Sequence, residues 1–410
     1  MSTVPEQAQR PSHVPAELVI DFDVYNPPNG EHDFYRPWEE LQNSGVPEIV
    51  WTSRNGGHWL PTTGQLVFDI WGDHERFSNR ISIVPKAVGE QFFGIPQSLD
   101  PPLHMPFRML LNSVLGPKAV KTLEDGIRAL AISLIDDFRA RGQCDFTREY
   151  AEILPVHTFL RLVDLPLEDA PQLLEINNHI IRPSGEMTVM EASNRLRAYL
   201  QEVVERRLGR DGQDMLSKMI NGQVNGRSLT VEEGTYLALT VLQGGIDTVS
   251  NLLAFAMHFL ATHPQHRREL IEHPELVPAA VEELVRRFPV VATAREVKND
   301  MTFHGVEMKK GDVLVMATPF HAVDTRLHDR PLEVDFHRTD RPHVTFGNGM
   351  HRCPGAHLAR HETRITLQEW LARIPHFELA DSDVRFQGGV VAAVLGLPLK
   401  WNAAETSARP

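Results

Sequence analysis

The stretch FGNGMHRCPGAH, residues 346–357, contains Cys353, one of only two cysteines in this chain of 410 residues. Its glycines predict a backbone that turns sharply or passes close to another group. A helical pattern follows at 357–374, so Cys353 lies at a helix N-terminus. Free backbone N–H groups and the helix dipole favour a thiolate there, and His351 and Arg352 add to this effect. The segment therefore predicts a functional thiolate.

The residues alone leave three roles open for this thiolate. Cys353 is a buried structural cysteine in a glycine-rich loop, or it belongs to a zinc site with His357 and His361. A structural zinc site usually has four protein ligands, and at least two thiolates would be expected here. In the third role, the glycines let the loop pass under a flat macrocycle while Cys353 supplies the single axial ligand of a haem.

Composition limits the class of protein. A formal net charge of −13 gives no overall attraction to nucleic acid or to anionic membranes. Two cysteines, Cys144 and Cys353, exclude a disulfide framework and predict free thiols in a reducing compartment. The longest apolar run, residues 252–261, is too short to span a bilayer. We therefore expect a soluble cytoplasmic protein.

The chain reads as one large unit behind a short arm. Residues 1–20 are polar and contain three prolines, which predicts a flexible N-terminal arm. Residues 21–410 contain no long linker, repeat or low-complexity block, so we expect a single domain.

Helical periodicity dominates this domain. Apolar residues recur at spacings of three and four over 121–140 and 193–208. A longer apolar helix is predicted over 231–262, with Thr230 and Glu233 as a capping box and His263-Pro264 as its end. This helix is apolar on nearly all sides, which predicts a buried central helix.

Strand signals are fewer. Residues 48–52 and 58–61 flank an Asn-Gly-Gly turn and predict a hairpin, while 301–316 alternates apolar and polar residues. Residues 390–401 predict a late strand pair. The sequence therefore indicates a mainly α fold with a minor β region.

The cysteine stretch is similar, at each defining position, to the haem-binding loop of cytochrome P-450 monooxygenases. This resemblance implies the P-450 fold, a prism-like triangular molecule with haem b between a long central helix and the cysteine loop. It implies that Cys353 is the axial ligand of the haem iron. Phe346, Gly347 and His351 would also contact the haem.

Other segments agree with this resemblance. The central helix carries QGGIDTVSN, and Asp247 and Thr248 match the acid–threonine element that crosses the oxygen side of the haem. By resemblance, Thr248 orders a hydrogen bond to bound dioxygen, and Asp247 relays protons from solvent. From the residues alone, the two glycines Gly244 and Gly245 indicate helix packing, and the Thr248 hydroxyl bonds back to the Gly244 carbonyl.

Five further residues match the family, and three of them would hold the haem propionates. Glu283 and Arg286, three residues apart, would be a buried structural pair behind the cysteine loop, although alone they read as a surface ion pair. His104 and Arg108, four apart in DPPLHMPFR, would hold haem propionates, as would Arg295. Without the family resemblance, His104 and Arg108 would be interpreted as a solvated cationic face.

The resemblance extends to the bacterial camphor 5-monooxygenase family, from about residue 21 to 401. It places these residues in the substrate pocket: Phe92, Ile83, Gln243, Val291, Val390 and Val391. Phe92 stands where that family has a tyrosine hydroxyl for the substrate ketone, and phenylalanine has no donor. Camphor is therefore not the expected substrate. We expect a small apolar ring compound, such as an alicyclic terpenoid or an ionone-like norisoprenoid.

The resemblance also implies partners. The reaction would hydroxylate an unactivated C–H bond with O2, and the chain has no flavin, dinucleotide or cysteine-cluster motif to supply electrons. A [2Fe–2S] ferredoxin with its NADH-dependent reductase is the expected donor, docking near Arg108. The alternative function is a haem-binding sensor or ligand-binding protein without turnover, which would not need a proton relay through Asp247 and Thr248.

Overall fold

The computed structural model describes residues 7–181 and 186–406, and about half of the chain is helical. The helices are, in chain order, α1 (Arg36–Asn43), α2 (Gly64–Gly72), α3 (Lys86–Gly89), α4 (His104–Leu115), α5 (Pro117–Lys121), α6 (Glu124–Arg139), α7 (Ile153–Leu162), α8 (Ala170–Ile181), α9 (Val189–Arg207), α10 (Met215–Ile220), α11 (Val231–Thr262), α12 (Pro264–Glu272), α13 (Val277–Arg287), α14 (Pro319–Ala322) and α15 (Ala356–Arg373). The mainly α architecture predicted from the sequence is confirmed.

The β portion is small and divided among several sheets. The strands are β1 (Val19–Ile20), β2 (Ile49–Thr52), β3 (His58–Pro61), β4 (Phe77–Ser78), β5 (Gln143–Asp145), β6 (Gln223–Val224), β7 (Arg227–Ser228), β8 (Ala292–Val297), β9 (Met301–Phe303), β10 (Val306–Met308), β11 (Val313–Ala317), β12 (Glu378–Leu379), β13 (Phe386–Gln387), β14 (Ala393–Val394) and β15 (Pro398–Lys400). The main sheet has the order β1-β2-β3-β11-β8-β4, and another has the order β12-β15-β5. The predicted hairpin is the antiparallel pair β2–β3.

Helix α11 begins and ends where local signals place it. The Thr230 hydroxyl accepts a hydrogen bond from the Glu233 backbone N–H at 3.1 Å, and the Glu233 carboxylate accepts from the Thr230 backbone N–H at 2.9 Å. This capping box satisfies two N–H groups that the first helical turn leaves without partners. His263 closes the helix, and Pro264 begins α12. Both predicted ends of the central helix are confirmed.

Helix α11 passes through two separate apolar cores. The first core packs the main sheet against α13, α15 and α11 residues 249–261. The second core lies among α4, α7, α8, α9 and α10 and includes α11 residues 237–246. Asp247 and Thr248 fall between these two stretches. We call this position the core seam.

Burial explains why α11 is so apolar. Among the described residues it is the one helix long and apolar enough to cross a membrane, but 67% of its most apolar stretch is buried inside the protein. Its hydropathy therefore reflects a central position in the core.

Two sequence expectations fail because they depend on distant contacts. The prediction of a flexible arm does not hold for residues 7–20, since Val14 is only 1% exposed and β1 pairs in parallel with β2. Residues 1–6 lie outside the described residues. The predicted late strands exist but do not pair with each other, because β14 pairs with β13 while β15 lies between β12 and β5.

Candidate active site

The cysteine loop, residues 346–355, leads directly into α15. Positive φ angles of 71° at Gly347 and 69° at Gly349 give it bends that L-residues rarely adopt. A Cβ atom at Gly349 would lie 3.0 Å from the Cα of Gly72, so the loop also passes close to the end of α2. The Cys353 backbone N–H donates to the Phe346 carbonyl at 2.8 Å. These features fix the position of Cys353 just before the helix.

The thiol of Cys353 borders open space but is desolvated by the surrounding protein. It is a free, accessible cysteine. Burial raises its pKa, while backbone N–H groups in the first turn of α15 and the guanidiniums of Arg108 and Arg360 lower it. The net pKa is raised, so the helix N-terminus favours a thiolate as expected, but desolvation outweighs this effect. A bound metal cation would reverse this balance, because coordination deprotonates a thiol.

Four cationic or basic side chains predicted from the sequence converge near this loop. The rings of His104 and His351 have centroids 4.2 Å apart. His104 is 1% exposed, and neither of its ring nitrogens has a hydrogen-bond partner. Arg108 donates to the carbonyl of Arg352, the residue before the cysteine. Arg295 is buried and donates to its neighbouring carbonyl of Ala294 at 2.8 Å. We call His104, Arg108, Arg295 and His351 the cation cluster.

Asn79, which sequence reasoning missed, fixes the tautomer of His351. The Asn79 amide nitrogen donates to the Gln97 carbonyl, and this contact orients the amide. The same nitrogen lies 3.3 Å from His351 Nδ1, so Nδ1 must accept. The proton of neutral His351 is therefore on Nε2, which has no partner in the structure. No motif spacing links residue 79 to residue 351, so only the fold reveals this pair.

Burial controls protonation in the cation cluster. It lowers the pKa of His351 to about 2 and that of His104 to about 4, so both imidazoles are neutral at pH 7. Burial lowers the pKa of Arg295 to about 9, while Asp100 partly opposes this shift, and the guanidinium stays charged. The cluster thus offers two guanidinium cations and unpartnered imidazole nitrogens. This chemistry suits a ligand that carries carboxylates.

The core seam brings together the predicted residues of the central helix. Asp247 is 7% exposed, and its backbone carbonyl accepts from the Asn251 amide at 2.9 Å. The Thr248 hydroxyl donates to the Gly244 carbonyl at 3.0 Å, which was the alternative interpretation from the residues. A side-chain bond of this kind accommodates a polar residue within a helix.

The adjacent glycines Gly244 and Gly245 of α11 differ in their surroundings. A Cβ atom at Gly245 would lie 3.8 Å from Phe159 of α7, so Gly245 serves helix packing. A Cβ atom at Gly244 would have no neighbour within 4 Å, and Gly244 is exposed in the middle of a buried helix. The core seam is therefore open on the side of α11 where Gly244 lies.

Three predicted pocket residues meet where two distant segments pair. Val291 and Val391 form an isolated antiparallel bridge. The backbone N–H of Ala292 donates to the Val390 carbonyl at 3.0 Å. Residues about 100 positions apart in the chain are thereby brought into one wall.

The other three, Phe92, Ile83 and Gln243, are half-buried and belong to neither apolar core. Phe92 and Ile83 lie in the wall loop, residues 79–100. Its Ser82 carbonyl accepts from the Ala294 backbone N–H of β8 at 2.8 Å. Its other end approaches α11, because a Cβ atom at Gly94 would lie 2.9 Å from the Thr240 hydroxyl. The wall loop thus bridges β8 and α11.

The predicted acid–arginine pair lies fully buried behind the cysteine loop. Glu283 and Arg286 are both 0% exposed and share two hydrogen bonds, of 2.8 and 2.9 Å. Glu283 also accepts from Arg338 at 3.1 Å, and Arg286 donates to three backbone carbonyls within 322–333. Thr345, just before the cysteine loop, donates to a carbonyl of α13 at 2.7 Å. This network supports the back of the loop.

The zinc alternative finds no support. Nowhere in residues 7–181 and 186–406 do three His, Cys, Asp or Glu side chains converge to hold a metal ion. His361 instead makes a 3.0 Å contact with the His357 carbonyl through Nδ1.

Comparisons with known proteins decide the family. The family model described as Cytochrome P450 matches residues 161–385, more than half of the chain. Probable cytochrome P450 127A1 from Sinorhizobium fredii is 32% identical over 402 residues, which cover 95% of this chain and 96% of that protein. The chain belongs to the cytochrome P450 family.

Solved structures agree with this assignment. The crystal structure of CYP101J2 superposes with a TM-score of 0.90 and 44% identity, covering 96% of this P450 and 100% of that chain. Cytochrome P450 CYP101C1 gives a TM-score of 0.89 and 39% identity over the same shares of the two chains. Both neighbours are camphor-like P450s, so the resemblance drawn from the sequence is confirmed.

Membership makes this protein a haem b monooxygenase that uses a substrate, dioxygen and a redox partner. The residues present fit that cofactor. Haem b carries two propionate carboxylates, and the cation cluster offers the buried guanidinium of Arg295, the half-buried guanidinium of Arg108 and the unpartnered Nε2 of His351. Its iron takes an axial thiolate, and Cys353 is the accessible thiol beside the cluster.

Glu362 of α15 is a buried acid that the sequence analysis did not single out. It is 1% exposed, and burial raises its pKa to about 8. Its position nine residues after Cys353 gives no periodic signal, since α15 buries residues on several sides.

Proposed function

We propose that this P450 hydroxylates an unactivated C–H bond of a small apolar substrate, an alicyclic terpenoid or ionone-like norisoprenoid rather than camphor. The observation that carries the proposal is the pocket wall. Phe92, Ile83 and Gln243 are half-buried residues outside both cores, and only Gln243 has a polar side chain. Such a wall recognises shape and apolar surface more than hydrogen-bonding groups.

In this proposal, Cys353 would bind the haem iron and the cation cluster would hold the propionates. Haem b supplies the activation of dioxygen, and a thiolate ligand favours O–O cleavage. Arg108 and Arg295 would neutralise the carboxylates, while His104 and the Nε2–H of His351 would complete their hydrogen bonds. Gly347, with its positive φ, and Phe346, whose carbonyl accepts from the Cys353 backbone N–H, set the course of the loop that would contact the cofactor.

The seam residues handle protons. Thr248, beside the open face of Gly244, holds a hydroxyl proton at a fixed position on α11. Asp247 is buried between the two cores and passes protons from solvent to that position.

A [2Fe–2S] ferredoxin with an NADH-dependent reductase supplies electrons, and the protein works in the cytoplasm. Arg108 is the proposed docking residue, because it bonds the backbone next to Cys353. Arg108→Ala should slow ferredoxin-driven reduction by about tenfold or more, since loss of a charged contact slows encounter and weakens the complex. Stopped-flow reduction of the carbon monoxide complex measures this rate, and an unchanged rate would remove Arg108 from the docking surface.

The deciding experiment is an absorbance spectrum of the reduced protein under carbon monoxide. A strongly red-shifted Soret band is expected for thiolate ligation by Cys353. A band typical of histidine ligation would overturn the ligand assignment. Spin-state titration with β-ionone and camphor, followed by product analysis with the ferredoxin system, then tests the substrate class. Tighter binding of camphor than of β-ionone would contradict the proposed preference.

A further inference from the structure

We propose that Arg80 is a positioning residue that holds Phe92 in the pocket wall and thereby sets the affinity for apolar ligands. The inference rests on the proposed function, in which Phe92 faces the substrate. Arg80 donates through Nη1 to the Phe92 carbonyl at 3.3 Å and through Nη2 to the Glu90 carbonyl at 3.0 Å. One guanidinium therefore binds the carbonyls of both Glu90 and Phe92 in the wall loop.

The surroundings of Arg80 indicate that its guanidinium serves mainly to bind these two carbonyls. Arg80 has no carboxylate within 4.0 Å among the described residues, so its charged donors serve the carbonyls. Its Cζ lies 5.8 Å from the ring centroid of Phe93, which packs edge-on against Tyr236 of α11. A guanidinium can engage two acceptors in one plane and contact a ring at once, which an ammonium cannot.

Few other contacts hold the segment around Phe92 in place. After α3, Phe92 makes a single turn-type backbone bond, from its N–H to the Gly89 carbonyl at 3.1 Å. Its side chain belongs to neither core, whereas Phe93 packs against the second core. Without Arg80, the carbonyls of Glu90 and Phe92 would lose their charged donor. The wall could then move away from the ligand.

Arg80 also connects the wall to the cofactor side. Its neighbour Asn79 orients His351, as described above, and its own backbone N–H donates to the Ser78 hydroxyl at 3.0 Å. Ser78 belongs to β4, which pairs with β8. Three consecutive residues thus set the position of the wall relative to the cation cluster.

The test compares Arg80→Ala with Arg80→Lys in haem-loaded protein, using two iron-binding probes. Both imidazole and 4-phenylimidazole coordinate through nitrogen, but only the latter carries a ring large enough to contact the wall. In Arg80→Ala, 4-phenylimidazole should bind about tenfold more weakly, while imidazole should change by less than about twofold. Arg80→Lys should be intermediate, because one ammonium reaches one carbonyl at a time.

Arg76→Ala is the matched control. Arg76 lies four residues earlier, is exposed, and stacks on the Phe303 ring at 4.8 Å, but it does not contact the wall loop. Its removal should leave the binding of both probes unchanged. Soaking Arg80→Ala with guanidinium at a non-denaturing concentration should partly restore 4-phenylimidazole affinity.

Hydrogen exchange provides a readout that is independent of turnover. Amides within 88–94 should exchange faster in Arg80→Ala, and those of α13 should not change. Equal exchange and equal 4-phenylimidazole affinity in wild type and Arg80→Ala would overturn the proposal. If Arg80→Ala does not fold, wild-type behaviour of Arg80→Lys in both assays would overturn it. A wrong substrate class leaves these outcomes untouched, so the two failures can be told apart.

Discussion

The cysteine side and the pocket wall of this P450 are built from different interactions. Behind the cysteine loop, fully buried Glu283 accepts from Arg286 and Arg338, and the loop bends at two glycines with positive φ. In the wall, half-buried Phe92 lies outside both cores and contacts Arg80 through its carbonyl. The cysteine side, which we propose holds the cofactor, is overdetermined, whereas few contacts fix the wall that we propose selects the substrate. Changes in specificity should therefore be easier to make than changes in cofactor binding.

The largest effect is expected from Glu283→Gln on the cysteine side. The change leaves the buried guanidinium of Arg286 without its carboxylate and should lower the free energy of unfolding by about 3–5 kcal/mol. Urea unfolding of the haem-loaded protein measures this difference. The control, Glu39→Gln, breaks an ion pair with the exposed Arg36 and should cost less than about 1 kcal/mol. Equal costs at both sites would contradict the view that the cysteine side is overdetermined.

The next effect is expected at the core seam. Asp247→Asn keeps the shape of the side chain but removes its proton-transfer ability, so kcat should fall by about a hundredfold. The carbon monoxide spectrum should remain that of the parent, because Cys353 is unaffected. Steady-state product formation measures kcat, with the exposed Asp137→Asn on α6 as the control. A kcat within about twofold of the parent would remove Asp247 from the proton path.

A smaller effect concerns pH and Glu362 of α15. Burial raises its pKa to about 8 from an ordinary value of 4.5, so the folded protein retains a proton that the unfolded chain releases. Its contribution to stability is complete below pH 4.5 and is lost progressively as the pH rises to about 8.

Glu362→Gln should flatten this dependence, because the amide does not ionise. Urea midpoints measured between about pH 5 and about pH 8 give the slope. Glu202→Gln, at an exposed position of α9, should leave the slope unchanged. An identical slope in Glu362→Gln and the parent would show that Glu362 is already ionised in the folded protein.

The smallest effect is expected on camphor binding, from a change at Phe92 in the pocket wall. Phe92→Tyr introduces a hydroxyl donor and should tighten camphor binding by about two- to tenfold, the range expected for one net hydrogen bond. Phe93→Tyr is the control, since that ring packs against Tyr236 and should give no gain. Spin-state titration with camphor measures both. No gain from Phe92→Tyr would mean that the ring does not face the substrate.

Local signals explain which parts of the fold could be predicted. The ends of α11 follow from Thr230, Glu233 and Pro264, which act within one helical turn. The cysteine loop could be predicted because its glycines and Cys353 are contiguous in sequence. The fold class and cofactor follow from such contiguous motifs.

Features that depend on distant contacts could not be predicted. The burial of Val14 in the first core and the pairing of β15 with β5 join segments without any spacing rule. The link between Asn79 and His351 spans 272 positions and has no sequence pattern. The raised pKa of Cys353 was missed because desolvation depends on the surrounding fold and outweighs the local helix dipole.

The position of β15 has a consequence for biosynthesis. This strand, Pro398–Lys400, lies between β12 and β5, and the nearby Val390–Ala392 segment completes the bridge to Val290–Ala292. Cys353 and the central helix are therefore synthesised before the residues that complete this wall. If this wall encloses the cofactor as proposed, enclosure must follow the synthesis of residues 390–392, and nascent chains stalled before residue 390 should not retain haem.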